Sequence, residues 1–334
     1  MEDRAMELEA RPVRRRPSRN LGLDIVRATE AAALAAGRWM GLDRLHEAHR
    51  AAAAAMRHAL DTVEIDGCVV VGEEGRMGRC KMPQSGQAVG TGYGPQVDVV
   101  VDPIDGRRLL AQGHMGAIAV AAVAPRGAMW ASTPAVYMEK VVVGPEVAPH
   151  LVPECMDAPA AWTLALVARA KGKQVGDLIV FVLDRPRHVD LIEEIRTAGA
   201  RVMLGSDGDI AGALLAVTPD GGVDVLMGVG GVMEGLIAAC ALKAAQGGML
   251  GRLAPQSDEE RSAVQSAGLD VHHILTDAQL VASDAVFFAA TGITDGPLLS
   301  GVSYTGNRAT SNSIIMRGET QTRRIIQAEH LLDE

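Results

Sequence analysis

The stretch that decides the fold is VDVVVDPIDGRR, residues 97–108. A mostly apolar run ends on two aspartates three apart, Asp102 and Asp105, followed by Gly106, Arg107 and Arg108. A strand delivers its last residues to a fixed place, and Pro103 locks φ in the turn. Asp-Pro-Ile-Asp therefore aims two carboxylates at one point. Carboxylates crowded away from water repel each other unless one is protonated or a cation sits between them. Oxygen donors of this kind favour Mg²⁺ or Mn²⁺. The plain alternative is turn chemistry and helix capping. The segment after Asp105 begins GRRLLAQG, and if it turns into a helix its backbone N–H groups can hold a phosphate.

Two further acids stand where apolar runs end: Glu73 closes CVVVGE, and Glu234 lies in VDVLMGVGGVMEG. A divalent ion held by carboxylates with open positions is the equipment for phosphate-ester hydrolysis. DRPRHVD contributes Arg187 and His188, and SDGDIA contributes Asp207 and Asp209 at the start of an expected helix. Arginine binds phosphate through two parallel hydrogen bonds, and aspartate accepts from sugar hydroxyls. Surface ion pairs and N-caps are the competing reading of each.

Composition narrows the rest. The chain has 334 residues, 48% of them hydrophobic, enough for one large domain or two ordinary ones. Only 3% are aromatic and the net charge is −9, which argues against a nucleic-acid surface. Cys68, Cys80, Cys155 and Cys240 form no CxxC pair, so neither a zinc site nor a disulfide framework is expected, and a cytoplasmic location fits. The longest apolar run, AIAVAAVA from Ala117, is strand-sized, so no membrane span is expected. The N-terminus is charged and proline-broken, and residues 1–18 are expected to form a tail.

Periodicity predicts two opening helices, over residues 21–40 and 45–60, then strand-like CVVVG, VDVVVD, AIAVAAVA and EKVVVG. From Pro159 onward helices and strands alternate, which predicts a parallel α/β unit. APQSDEERSAVQSAG reads as an exposed helix or loop, and the C-terminal NSIIMRGETQTRRIIQAEHLL as strand with a final strand or helix. The economical picture is an α/β protein of two lobes with the active site between them, at the ends of strands. The first lobe would span residues 19–158 and the second 159–334, with roughly the last 50 residues packing back on the first. GTGYGP at Gly90 precedes a β-type run, so it fails as a dinucleotide fingerprint. GVGGVMEG from Gly228 reads as a tight loop carrying Glu234 and backbone amides to the site.

Together these motifs resemble the class II fructose-1,6-bisphosphatases, including the bifunctional fructose/sedoheptulose enzymes of the lithium-sensitive, metal-dependent sugar phosphatase superfamily. The resemblance covers roughly residues 19 to 330. It rests on RNLGLDIVRATEAAALAAGRWMG, IDGCVVVGE, VGTGYGPQVDVVVDPIDG, PAVYMEKVVVG, RPRHVD, SDGDIA, VDVLMGVGGVMEG, ATGIT and RRI. It implies a layered αβαβα fold, a sugar-phosphate substrate, Mg²⁺ or Mn²⁺, and a homodimer or homotetramer. It places Glu73, Asp102, Asp105 and Glu234 on metal-ligand positions. It places Asp105, Gly106, Arg107, Tyr137, Arg187, His188, Val189, Asp207, Gly208, Asp209 and Gly231 on substrate contacts.

The chain departs from the family pattern at several of these positions. Asp105 stands where a glutamate is usual, and Val189 where an aspartate is. Arg44 occupies the place of an aspartate ligand, with Asp43 one residue away. The acidic stretch after Glu73 has become EGRMGRCKMPQ. Arg107 stands where the superfamily carries a Thr or Ser that positions the attacking water, and a guanidinium cannot act as a general base at neutral pH. The expectation is a metal-dependent sugar-phosphate phosphatase with an altered site. Its catalytic set would be Glu73, Asp102, Asp105 and Arg107, with Arg107 and Arg44 supplying positive charge. The alternative is an impaired or repurposed paralogue that binds a phosphorylated sugar without ordinary bisphosphatase activity.

Overall fold

The computed structural model describes residues 20–72, 85–131 and 134–332. Two helices open it, α1 (Gly22–Gly37) and α2 (Leu45–Leu60). Strands β1 (Asp66–Val69), β2 (Ala88–Val89) and β3 (Gln96–Asp105) follow, then the short α3 (Arg107–Gln112), β4 (Ile118–Pro125) and β5 (Tyr137–Val143). The middle of the chain alternates α4 (Ala160–Lys171), β6 (Ile179–Leu183), α5 (Val189–Thr197), β7 (Arg201–Gly205), α6 (Asp209–Val217), β8 (Val225–Gly231), α7 (Val232–Ala245) and β9 (Gly248–Leu253). The last part contains α8 (Asp258–Ser266), β10 (Leu275–Thr276), α9 (Asp277–Leu280), β11 (Phe287–Gly292), β12 (Ser303–Thr305), β13 (Arg308–Arg317) and β14 (Thr322–Leu331).

The strands form two sheets. The first runs β12-β13-β11-β4-β3-β1-β2, with β14 on the far edge of β13; the second runs β10-β9-β5-β8-β6-β7. Side-chain alternation explains why each sheet is covered on both faces. On the first sheet Val97, Val99, Val101, Ala119, Ala121, Val123, Phe287 and Ala289 pack against α1 and α2. Their neighbours Val100, Val120, Ala122, Phe288 and Ala290 point the other way, toward α6 and α7. Those two helices also cover the inner face of the second sheet through Met138, Val142, Phe181 and Leu226. On its outer face Val141, Val180, Val182 and Met227 meet α4 and α5. The result is the expected layered order, αβαβα.

Being in the middle layer accounts for the composition of α7. Nearly every residue from Val232 to Leu242 is buried, so the helix is apolar all round rather than striped. By contrast α1 buries one face, through Ile25, Ala28, Ala32 and Ala36.

Several expectations shift. The alternating stretch gives parallel pairing only in β7-β6-β8; β5, β8, β9 and β10 pair antiparallel. Hydrophobic alternation reports burial, not strand direction. The strand expected at CVVVG lies earlier, at Asp66–Val69. Strand β5 belongs to the second sheet although it precedes residue 159, and β11 to β14 belong to the first. The C-terminal stretch forms an antiparallel hairpin, β13 and β14, rather than a helix. The expected tail, residues 1–18, lies outside the described residues. No helix among the described residues is long and apolar enough to cross a membrane.

One contact behind the site is unusually tight. The buried Phe181 ring on β6 lies over two glycines: a Cβ added to Gly205 would sit 2.3 Å from it, and one added to Gly212 on α6 would sit 2.4 Å away. Glycine to alanine inside a helix ordinarily gains roughly 0.5–1 kcal/mol, whereas overpacking a core costs roughly 1–3 kcal/mol. Gly212→Ala is therefore expected to destabilise by about 1 kcal/mol in urea denaturation. In a Phe181→Leu background the same change should become neutral or stabilising. An equal effect in both backgrounds would show that the ring is not the cause.

Candidate active site

The end of β3 explains how two aspartates three apart reach one cavity. In a regular strand residues i and i+3 point to opposite faces. Here Asp102 pairs with Val120 and Asp105 with Ile118, so β3 carries one extra residue relative to β4. Such a bulge re-aims the side chains beyond it, and Pro103, which has no N–H to donate, is tolerated there. Asp102 closes the turn itself, its Oδ1 accepting the Ile104 N–H at 3.0 Å. Gly106 then takes φ 89°, which suits glycine, and α3 begins at Arg107. Asp102 and Asp105 are both buried, and both line a cavity of about 350 Å³ between the two sheets.

The middle helical layer meets them through α6 and α7. The Ala211 N–H, in the first turn of α6, donates to Asp105 Oδ2 at 3.0 Å. Asp207 accepts the Arg108 N–H at 3.1 Å and Arg185 Nη2 at 3.0 Å, so it ties the start of α3 to the loop before α6. Arg185 is held in turn by the Ser206 carbonyl at 2.6 Å and the Asp184 carbonyl at 3.0 Å. Glu234, in the first turn of α7, brings another buried carboxylate to the cavity wall.

Residues 228–231 are not a loop. They finish strand β8, and α7 starts directly after Gly231. The glycines there serve close packing. A Cβ on Gly230 would lie 1.9 Å from Asp209 Oδ2 and 2.7 Å from Lys140 Nζ. These two groups form an ion pair, Asp209 in the cavity wall and Lys140 buried behind it, and Lys140 Nζ also donates to the Gly231 carbonyl at 3.1 Å. Lys140 is only 2% exposed.

Of the sequence-predicted residues, Asp102, Asp105, Gly106, Arg107, Tyr137, Arg187, Asp207, Gly208, Asp209, Gly231 and Glu234 all line this one cavity. His188 and Val189 do not. The His188 ring sits behind the wall, with Nδ1 2.7 Å from the Leu183 carbonyl and Nε2 accepting the Val229 N–H at 2.8 Å. These partners assign the Nδ1–H tautomer, and both ring nitrogens are committed to backbone. Burial, with the nearby Arg187 charge, lowers the His188 pKa despite its bond to Leu183. Val189 begins α5 and is 59% exposed. Arg44 and Asp43 are exposed and line no part of the cavity, where Leu45 stands instead. Asp43 has φ 54° and spends its N–H on the Ala111 carbonyl. Glu73 and the EGRMGRCKMPQ stretch lie outside the described residues.

Sequence reasoning assigned no role to Arg108, Arg185 or Lys140. Arg185 was visible beside Arg187 in DRPRHVD. Lys140 carried a clearer signal: a lysine inside the apolar run MEKVVV must be buried and therefore paired.

Electrostatically the cavity carries both signs. Asp102, Asp105, Asp207, Asp209 and Glu234 share its walls with Arg107, Arg108, Arg185 and Arg187. Arg187 reaches the Val229 carbonyl at 2.7 Å and stacks on the Tyr137 ring, 5.3 Å from its centroid. Burial pushes the Asp105 carboxyl well above the ordinary carboxylate range, and the charges of Asp102, Asp207 and Glu234 add to this against the Ala211 N–H. A cation would relieve the repulsion, and the all-oxygen donor set suits a hard divalent ion. Among the described residues, however, no three His, Cys, Asp or Glu side chains are gathered closely enough to form a metal cage by themselves.

In this layered α/β fold, buried carboxylates face arginines across an inter-sheet cavity. The comparisons are specific. Residues 19–330 match the family described as bacterial fructose-1,6-bisphosphatase, glpX-encoded, and the chain belongs to that family. It is 40% identical over 328 residues to fructose-1,6-bisphosphatase 1 class 2 of Escherichia coli K12, spanning 94% of this chain and 96% of that protein. The class 2 fructose-1,6-bisphosphatases of Escherichia coli O6:H1 and Shigella flexneri match with the same identity and coverage.

The buried pair at the wall yields a direct test. Removing one partner of a buried ion pair costs roughly 3–5 kcal/mol, because the other charge is left desolvated. Lys140→Met is expected to lose stability of about that size in urea unfolding. Adding Asp209→Leu should recover much of the loss. A double variant as unstable as the single one would show that the uncompensated carboxylate is not the cause.

Proposed function

We propose that this chain is a divalent-metal-dependent phosphatase that hydrolyses a phosphate monoester of a sugar phosphate or bisphosphate, at a site altered from the family pattern. The observation that carries the reading is the juxtaposition of Asp102, Asp105 and Glu234 with Arg107, Arg108, Arg185 and Arg187 in one inter-sheet cavity. Asp102, Asp105 and Glu234 would supply oxygen donors for Mg²⁺ or Mn²⁺ without completing a cage by themselves, and Glu73 would be a further ligand or the water-activating base. Such an ion polarises a phosphoryl oxygen and lowers the pKa of bound water.

The protein groups divide the remaining work. Arg107 meets the phosphate where the family carries a hydroxyl residue. Its fixed charge stabilises the anion without reorganisation, and it cannot take a proton from water. Arg187, stacked on Tyr137, presents a second cation from the other lobe. Asp209, held by Lys140, is placed to accept from sugar hydroxyls. Asp207 shapes the cavity from a position where both of its oxygens already hold protein donors. Arg44 lies outside the cavity wall, so of these two arginines Arg107 would supply the positive charge.

We further propose that the chain works in the cytoplasm as a homodimer or homotetramer, without nucleic-acid or membrane partners. Cys68, Cys155 and Cys240 carry no disulfide, which suits a reducing compartment. A second reading is a chain that binds a phosphorylated sugar without ordinary bisphosphatase turnover; it is supported by Arg107, which by resemblance stands where the superfamily carries a water-orienting hydroxyl.

Phosphate release from a panel of sugar mono- and bisphosphates with Mg²⁺ and Mn²⁺ tests the first reading. Turnover of at least one substrate, abolished by chelator, is the expected result; no release from any by folded protein overturns it. With the active substrate, Arg107→Ala should lower kcat by about 10²–10³-fold, the cost of one electrostatic contact to the transition state. Arg107→Thr separates the readings. A rise in turnover marks a decayed site, and a fall marks one rebuilt around arginine.

A further inference from the structure

Strand β8 outlasts one of its neighbours. It pairs with β5 from Val225 to Gly231, but with β6 only at Val225 and Leu226. Past Leu226 its second edge has no strand beside it among the described residues. Both main-chain groups of Val229 point to that side, and main-chain groups held away from water need partners. The single turn Pro186–His188, which follows β6, supplies them from side chains. His188 Nε2 accepts the Val229 N–H at 2.8 Å. Arg187 donates to the Val229 carbonyl, from Nη2 at 2.7 Å and from Nε at 3.2 Å. The other ring nitrogen of His188, Nδ1, donates to the carbonyl of Leu183, the last residue of β6, at 2.7 Å. The imidazole thus bridges β6 and β8 where the two strands part. Gly228 makes room for it: a Cβ there would lie 3.0 Å from Nε2, and its φ of 126° suits glycine.

The bridge joins two parts of the cavity wall. Leu183, Arg185 and Arg187 lie on one side of it, and Gly230, Gly231 and Glu234 on the other. Because α7 starts directly after Gly231, the way Val229 is held is passed on to the first turn of that helix and to Glu234.

A neutral imidazole has one donor and one acceptor, which match the Leu183 carbonyl and the Val229 N–H. An imidazolium has two donors, and would meet the Val229 N–H with a second N–H. Burial lowers the His188 pKa against the Leu183 bond; Arg187 and Arg185 lower it and Asp209 raises it. The other charged groups around the ring are engaged elsewhere: Glu139 on β5 with Arg252, Lys140 with Asp209, and Glu194 on α5 with the Ala160 N–H. Cys155 also lines the small cavity beside the ring.

We propose that His188 is a positioning residue for the hydrolytic site: its neutral ring fixes Arg187 and the segment from Gly230 to Glu234 relative to each other, while touching neither substrate nor metal. A second proton on the ring breaks the tie. The effect on turnover rests on the hydrolytic reading, and the bridge itself does not.

Histidine-selective nitrogen-15 NMR of the full chain, with His188→Gln to assign the signal, tests the bridge without any turnover. The expected result is a single Nδ1–H tautomer that takes up its second proton below the ordinary imidazole range. An Nε2–H tautomer, or an imidazolium at neutral pH, overturns the proposal. Two variants test the positioning. His188→Phe fills the space but forms no hydrogen bond, whereas His188→Gln keeps an acceptor for the Val229 N–H and does not titrate. In mildly alkaline buffer, with a sugar phosphate that the wild type hydrolyses, His188→Phe should lower kcat by roughly 10–10²-fold, the cost of misplaced groups at a reacting centre. His188→Gln should keep most of the activity, and should lack an acid-side step present in the wild-type kcat/KM profile. Protection of the Val229 amide from hydrogen exchange should fall in His188→Phe and persist in His188→Gln. Equal losses in both variants, an acid limb unchanged in His188→Gln, or unchanged Val229 protection in His188→Phe overturns the proposal. If His188→Phe does not fold, the wild-type tautomer and the His188→Gln profile decide it. Absence of phosphate release from every sugar phosphate sinks the hydrolytic reading instead, and the tautomer and Val229 protection still uphold or sink the bridge.

Discussion

Asp105 accepts the Ala211 amide at 3.0 Å, joining the end of β3 in the first sheet to the first turn of α6 in the middle layer. The cavity exists where it does because of this joint. A second tie runs parallel to it, from the Arg108 amide to Asp207 and on to Arg185. Both use backbone N–H groups at helix starts, which have no partners within their own helices. The same carboxylates that crowd the cavity therefore also satisfy the helix ends that form its walls. Chemistry and architecture cannot be altered separately there.

The electrostatics follow from that economy. Five acids share the walls with four arginines, and a fully buried lysine holds one of the acids from behind. Gly230 has no side chain because Asp209 and Lys140 occupy the space. Asp105 carries the strain of the arrangement: burial and neighbouring negative charge both oppose its ionisation. A bound cation would relieve exactly that opposition, and the guanidinium of Arg107 adds fixed positive charge one residue past Gly106.

Much of this was legible in one dimension. VDVVVDPIDGRR marked a buried strand ending on two acids, and Pro103 marked the irregularity. That this irregularity is a bulge, which turns both acids to one side, required the register of β3 against β4. His188 shows the opposite case. Its neighbours in DRPRHVD reach the cavity, but one residue of rotation places its ring between Leu183 and Val229. The glycines at 228–231 suggested a loop, because glycine spacing does not distinguish a turn from a strand that a buried ion pair must approach. Lys140 was readable as a buried cation, but its partner was not, since Asp209 lies 69 residues away.

The sequence by itself determined the alternation of apolar and polar residues, and with it most of the strands and helices, while the family resemblance implied the layered class of the fold. It also carried the family, through motifs such as VDVVVDPIDG and VDVLMGVGGVMEG. Tertiary structure alone decided which sheet each strand joined, because periodicity records how deeply a side chain is buried but not which surface buries it. It decided that β5 crosses to the second sheet while the last four strands return to the first. It also decided which charges face one another, because Coulombic pairing depends on distance in space, and the chain carries no local record of that distance.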